Sequence, residues 1–174
     1  MHRLVHLVRR FVGSLRPGGP STADVEWVRS CLSGSEFAVW SAMSGPDRRH
    51  SAMVARAVAL DLGSGATAPV LAAALLHDSG KSASGLRTPG RVIATLCGLA
   101  VIGSSADAKR WASGRGYRAR IGTYLLHPEI GASQLESIGS DPITVVWTRE
   151  HHLPPARCSL DPTLADALRD ADDD

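Results

Sequence analysis

Histidine and aspartate recur in this chain where hydrophobic segments end. The densest case is His77-Asp78-Ser79-Gly80-Lys81, which directly follows seven apolar residues, Val70 to Leu76. An imidazole and a carboxylate at the end of a segment that must be buried are costly to desolvate. A divalent cation relieves that cost, because it neutralises the carboxylate and takes the imidazole lone pair. His50 lies 27 residues upstream, His127 directly precedes Pro128, and His151-His152 form an adjacent pair. Asp172 closes the series in an acidic C-terminal stretch that also holds Asp170 and Asp173. His2 and His6 lie in the N-terminal segment and receive no role.

These residues need helices to position them. Leu and Ala dominate the apolar composition, aromatics are only 5%, and both residues favour helix. His50, Met53, Val54 and Ala57 recur at helical spacing on a segment for which Asp47 is the expected cap, and Gly63 ends it. Pro69 suits the first turn of the next helix, Val70 to His77, and Gly80 reads as its C-terminal glycine. Two antiparallel helices with a short connection would bring His50, near the start of one, to His77, near the end of the other.

Further helices are expected after Ser21 or Thr22, after Ser33-Gly34, from Pro89, over Asp107 to Trp111, through Tyr117 to His127, and from Pro128. Two more open at Asp141-Pro142 and Asp161-Pro162. The run Ile143 to Trp147 is the one strand-like stretch. Its flanking Asp-Pro and Arg-Glu-His-His favour helix, with Trp147 in the core. The expected fold is therefore an all-α compact bundle of eight to ten helices.

The chain of 174 residues suffices for one domain with its own core. A net charge of +2 argues against nucleic-acid binding by bulk electrostatics. Cys31, Cys97 and Cys158 are widely separated and odd in number. They read as reduced thiols, which suits a cytoplasmic protein. Residues 1–20 read as a basic helix and linker ahead of a single helical domain over 21–174. Arg9-Arg10 exclude a secretory signal. Weak contact of residues 2–16 with a membrane surface is compatible with their mixed basic and apolar character. The apolar run Val92 to Gly103 is too short to span a bilayer and reads as a buried helix.

The order of the motif residues resembles the HD superfamily of metal-dependent phosphohydrolases. That family shows a histidine, a His-Asp dipeptide and a distal aspartate, here His50, His77-Asp78 and Asp172, over a core of about residues 45–174. His77-Asp78-Ser79-Gly80-Lys81 is similar to the His-Asp-Ile-Gly-Lys form. His127 and His151-His152 resemble the two-metal subset. The Gly-Tyr-Pro signature of part of that subset is absent, since Leu153-Pro154-Pro155 follows the histidine pair. Among the terminal acids, Asp172 matches the family's last-helix pattern, with Asp170 and Asp173 as rivals.

The resemblance implies one metal on His50, His77, Asp78 and Asp172, and a second on His127, His151 and His152 with Asp78 bridging. Imidazole and carboxylate together suit Fe, Mn, Zn, Co or Ni. It further implies hydrolysis of a phosphomonoester or phosphodiester, with a nucleotide or nucleotide-derived compound as the small phosphorylated substrate. Asp78 and Lys81 would be the catalytic residues, Arg48 and Arg49 would hold substrate phosphate, and Glu150 would orient an imidazole. The alternative is a catalytically inactive module that binds a nucleotide or protein partner around a structural metal. Residues 82–120, rich in Gly, Ser and Arg, are the expected source of specificity.

Overall fold

The computed structural model describes residues 18–100 and 104–173; the expected N-terminal basic helix falls outside them. Among the described residues there are ten α-helices, three short 3-10 turns and no strand. The helices are α1 (Thr22–Cys31), α2 (Gly34–Ala42), α3 (Gly45–Leu62), α4 (Ala68–Leu76), α5 (Thr88–Ala100), α6 (Ser105–Ala112), α7 (Gly116–Leu125), α8 (His127–Ser137), α9 (Pro142–Glu150) and α10 (Pro162–Asp173). A 3-10 turn, Ser79–Ser84, links α4 to α5.

Short polar residues set the helix starts. Ser21 caps α1 by accepting from the Asp24 N–H, and Ser33 with Glu36 forms a reciprocal capping box on α2. Asp47 does not cap α3 as its sequence position suggested. Ser44 does, accepting from the Asp47 N–H, and α3 begins two residues earlier than Asp47. Asp47 is thereby left to receive both carboxylate contacts from Arg91 Nη1, at 2.6 and 2.7 Å. Asp141 caps α9 through the Ile143 N–H. The strand-like Ile143 to Trp147 run is helical.

The main core gathers α1 to α4 and α8 to α10. Leu75 and Leu76 of α4 are fully buried, so this nearly all-apolar helix runs through the middle. Around it pack Val28, Trp40, Val58, Leu135 and Leu168. Trp147 is 1% exposed, as its apolar neighbours imply. The Trp40 indole N–H donates to Ser51 Oγ at 2.9 Å inside this core, which satisfies both polar groups.

A second, smaller core belongs to the stretch expected to confer specificity. Leu86, Ala94, Ala108, Ile121 and Leu126 join α5, α6 and α7. Gly122 permits the α6–α7 contact, because a Cβ there would stand 2.4 Å from the Ala112 nitrogen. The described part of residues 82–120 therefore forms helices with their own packing, among them the expected ones from Pro89 and over Asp107 to Trp111.

Candidate metal centre

Helix ends bring the chemistry together. His77 is the residue at which α4 stops, His127 is the first residue of α8, one residue beyond the end of α7, and His151 is the residue at which α9 stops. The last carbonyls of a helix lack intrahelical partners. Each histidine uses one of them. His77 Nδ1 donates to the Ala74 carbonyl at 2.9 Å, His127 Nδ1 to the Tyr124 carbonyl at 2.8 Å, and His151 Nδ1 to the Thr148 carbonyl at 3.0 Å. With Nδ1 engaged by a carbonyl, Nε2 is the ring nitrogen left to face the site, and the ring orientation is fixed.

All three Nε2 atoms turn inwards. Each is buried without a hydrogen-bond partner, as is Asp78 Oδ1 between them. His77, Asp78, His127 and His151 are themselves buried. Together the three imidazoles and the Asp78 carboxylate form a donor set for a cation. The C-terminal ends of α4, α7 and α9 meet near this point, and their partial negative charges favour a cation, while the N-terminus of α8 at His127 opposes them in part.

Asp78 sits at the junction. Its Oδ2 faces His77 Nε2 at 3.3 Å and the Lys81 ammonium. Its Oδ1 faces His127 Nε2 at 3.3 Å and His151 Nε2 at 3.7 Å. On one side, the ligand atoms of His50, His77 and Asp78 all lie within 4.8 Å of one another. On the other, those of His127, His151 and His152 do the same. Either group could hold a metal ion. Asp172 joins the first, its Oδ1 standing 2.9 Å from His50 Nε2 and 3.4 Å from His77 Nε2. The rivals Asp170 and Asp173 are exposed, whereas Asp172 is buried, as the helical turn of α10 dictates.

The electrostatics of the metal-free site follow from burial and charge. Burial opposes a charged His77 ring, but Asp78 and Asp172 outweigh it and raise the imidazole to about 10. Burial likewise opposes the Asp78 carboxylate, yet Lys81 and His77 hold it well below the usual carboxylate range. Burial pushes His127 down, and pushes His151 further down with help from His152 and His77. One half of the site is thus proton-loaded and charged, and the other is neutral.

Two glycines fix the approach of these elements. A Cβ on Gly80 would stand 2.1 Å from the His127 carbonyl oxygen and 2.7 Å from the Gly131 nitrogen. Gly80 lies inside the 3-10 turn and has no positive φ, so it is not the helix-ending glycine that its place after His77-Asp78 suggested. Its job is to let α8 start against the turn that carries Asp78 and Lys81.

Three further expected site residues make these contacts. The Arg48 guanidinium lies over the Trp40 ring at 5.5 Å, and Arg49 Nη1 donates to the Gly18 carbonyl at 2.8 Å. Glu150 does not orient an imidazole. Its two oxygens accept from the Ser159 N–H and hydroxyl at 2.6 and 2.9 Å, which pins the loop following the histidine pair. The carbonyls of Ala74, Tyr124 and Thr148 take the orienting role that the sequence reading gave to Glu150. The signal was present: a histidine placed just beyond a helix end always has such a carbonyl three residues back. Comparison of the chain with family models, with curated proteins and with solved structures finds no match.

Proposed function

We propose that the chain is a metal-dependent phosphohydrolase of the HD type, acting on a phosphomonoester or phosphodiester of nucleotide character. One or two divalent transition-metal ions, on His50, His77, Asp78 and Asp172 and on His127, His151 and His152, would supply Lewis acidity and an acidified water for attack on phosphorus. The single observation that carries this reading is the convergence of three buried Nε2 atoms on the two oxygens of Asp78. The order of the same residues along the chain supports it independently.

The residues divide the work by position. Asp78 offers one oxygen to each ligand group, so it ties the two halves together. His77, His127 and His151 are pre-oriented by backbone carbonyls, so no side-chain entropy is lost when a ligand is bound. Lys81 stands three residues beyond Asp78 with its side chain 15% exposed. Its ammonium therefore sits between the buried carboxylate and the solvent side, where an arriving phosphate oxygen meets a positive charge.

Metal content and hydrolysis, measured together, test the proposal. Two metals per wild-type chain, one or none in His127→Ala, and none in His77→Ala are expected. Hydrolysis of bis-p-nitrophenyl phosphate or p-nitrophenyl phosphate should accompany the metal. Lys81→Ala should keep the metal and lose about 100- to 1,000-fold in turnover. A metal-loaded protein that cleaves no phosphoester across a broad nucleotide panel would overturn the enzymatic reading in favour of a structural metal in a binding module.

A further inference from the structure

The modest net charge conceals a strong asymmetry. Residues 82–120 carry seven Lys or Arg against the single acid Asp107, whereas residues 121–174 carry three against ten acids. In the fold, the basic stretch is the unit built on the smaller core, α5, α6 and the first half of α7. Its charges face outwards: Arg87, Lys109, Arg110, Arg115, Arg118 and Arg120 are all exposed.

The same unit exposes apolar side chains. Ile93 is 46% exposed, Leu96 59% and Tyr117 47%. At 100° per residue, Pro89, Ile93 and Leu96 share one arc of α5, apart from the buried Gly90 and Ala94. The Tyr117 hydroxyl instead reaches the buried side of α5, 2.8 Å from where a Cβ on Gly90 would be. Arg110 pairs with Asp107, Arg118 covers Trp111 and Arg120 donates to the Ser84 and Gly85 carbonyls, so Arg87, Lys109 and Arg115 are the exposed cations of this unit for which no such contact is seen among the described residues.

We propose that this unit is a docking surface for an anionic lipid membrane. A phosphate-bearing surface is attracted by the arginines, and Ile93 and Leu96 gain by entering the boundary between headgroups and acyl chains. A nucleic acid would use the arginines but leaves the two aliphatics in water. The sequence outside the described residues points the same way. Leu4, Val5, Leu7, Val8, Phe11, Val12 and Leu15 are interspersed there with Arg3, Arg9, Arg10 and Arg16 and with no acid. Among the described residues no helix is long and apolar enough to cross a membrane, so the association is with a surface.

Flotation of the full chain with phosphatidylcholine vesicles, with and without phosphatidylglycerol, tests this. Binding should require phosphatidylglycerol and weaken with salt. Each basic side chain near such a surface multiplies partitioning by roughly five-fold, so Arg87→Glu with Arg115→Glu should lower it by well over ten-fold. Ile93→Ser with Leu96→Ser should also release the protein, and Val8→Asp with Phe11→Asp should weaken it. All three pairs should leave helicity and melting unchanged. No recovery with anionic vesicles overturns the proposal. So does binding to a single-stranded oligonucleotide that needs Arg87 and Arg115 but is indifferent to Ile93 and Leu96.

Discussion

At the scale of single residues, the site gathers His77, His127 and His151, whose Nε2 atoms are buried and make no hydrogen bond, around the Asp78 carboxylate. That gathering ties metal binding to backbone packing through Gly80. Its Cα faces the His127 carbonyl so closely that any side chain must push α8 away from the turn holding Asp78. Gly80→Ala should therefore cost about 3 kcal/mol, as overpacking against rigid backbone does, and should separate His127 from Asp78. Urea denaturation reads the first effect and metal content the second. A variant with wild-type stability and full metal would show that the contact yields easily. The chemistry-bearing residues were legible in the sequence because ionisable groups directly after apolar runs demand a reason. Gly80 was misread because a glycine after a helix fits both a left-handed turn and a close approach, and only the neighbouring chain distinguishes them. Glu150 was misplaced because proximity in sequence to a ligand does not fix where a long side chain turns.

At the scale of elements, the periodicity of apolar residues and the Pro and Gly punctuation recovered the helices, while a helix start was misjudged where two capping residues compete. Ser44-Gly45-Pro46-Asp47 offers both, and Ser44 wins because Pro46 then falls within the first turn, where its missing N–H costs nothing. What the sequence did not announce was a second core, since its apolar residues are few and interspersed with arginines. That core is fastened to the rest partly by Arg91, which binds Asp47 on α3 and the Leu86 carbonyl at 3.0 Å. Both charged side chains are mostly covered, at 16% and 13% exposure. Asp47→Ala should cost about 2 kcal/mol, the scale of a hydrogen bond to a charged group. The loss should fall on the smaller unit. Hydrogen exchange should show α5 amides opening more than ten-fold faster while α4 amides keep their protection. Equal loosening of α4 would mean that the two cores unfold as one.

At the scale of the whole molecule, the buried histidines should dominate the pH dependence of the metal-free fold. In the unfolded chain they take protons near pH 6.5. Folded His127 and His151 refuse them because burial depresses both, and His152 is depressed in the same direction, although its exposure makes it the weakest contributor. Below pH 6.5 the unfolded state therefore binds more protons, and stability falls as pH falls. His77 acts oppositely. Its folded value of about 10 means that its stabilisation is complete below 6.5 and is lost as pH rises towards 10. Asp78, depressed by Lys81 and His77 against the cost of burial, adds stability above its ordinary 3.8 that disappears in stronger acid. The metal-free protein should thus be most stable near pH 6.5 to 7, with urea midpoints declining on both sides. A bound metal takes the place of the proton on His77, so metal loading should abolish the alkaline decline while making the acid one steeper through metal release. Urea midpoints of chelator-treated and metal-loaded protein across pH 5 to 9.5 measure this directly. Superimposable profiles would show that no metal binds at the His77 side of the site.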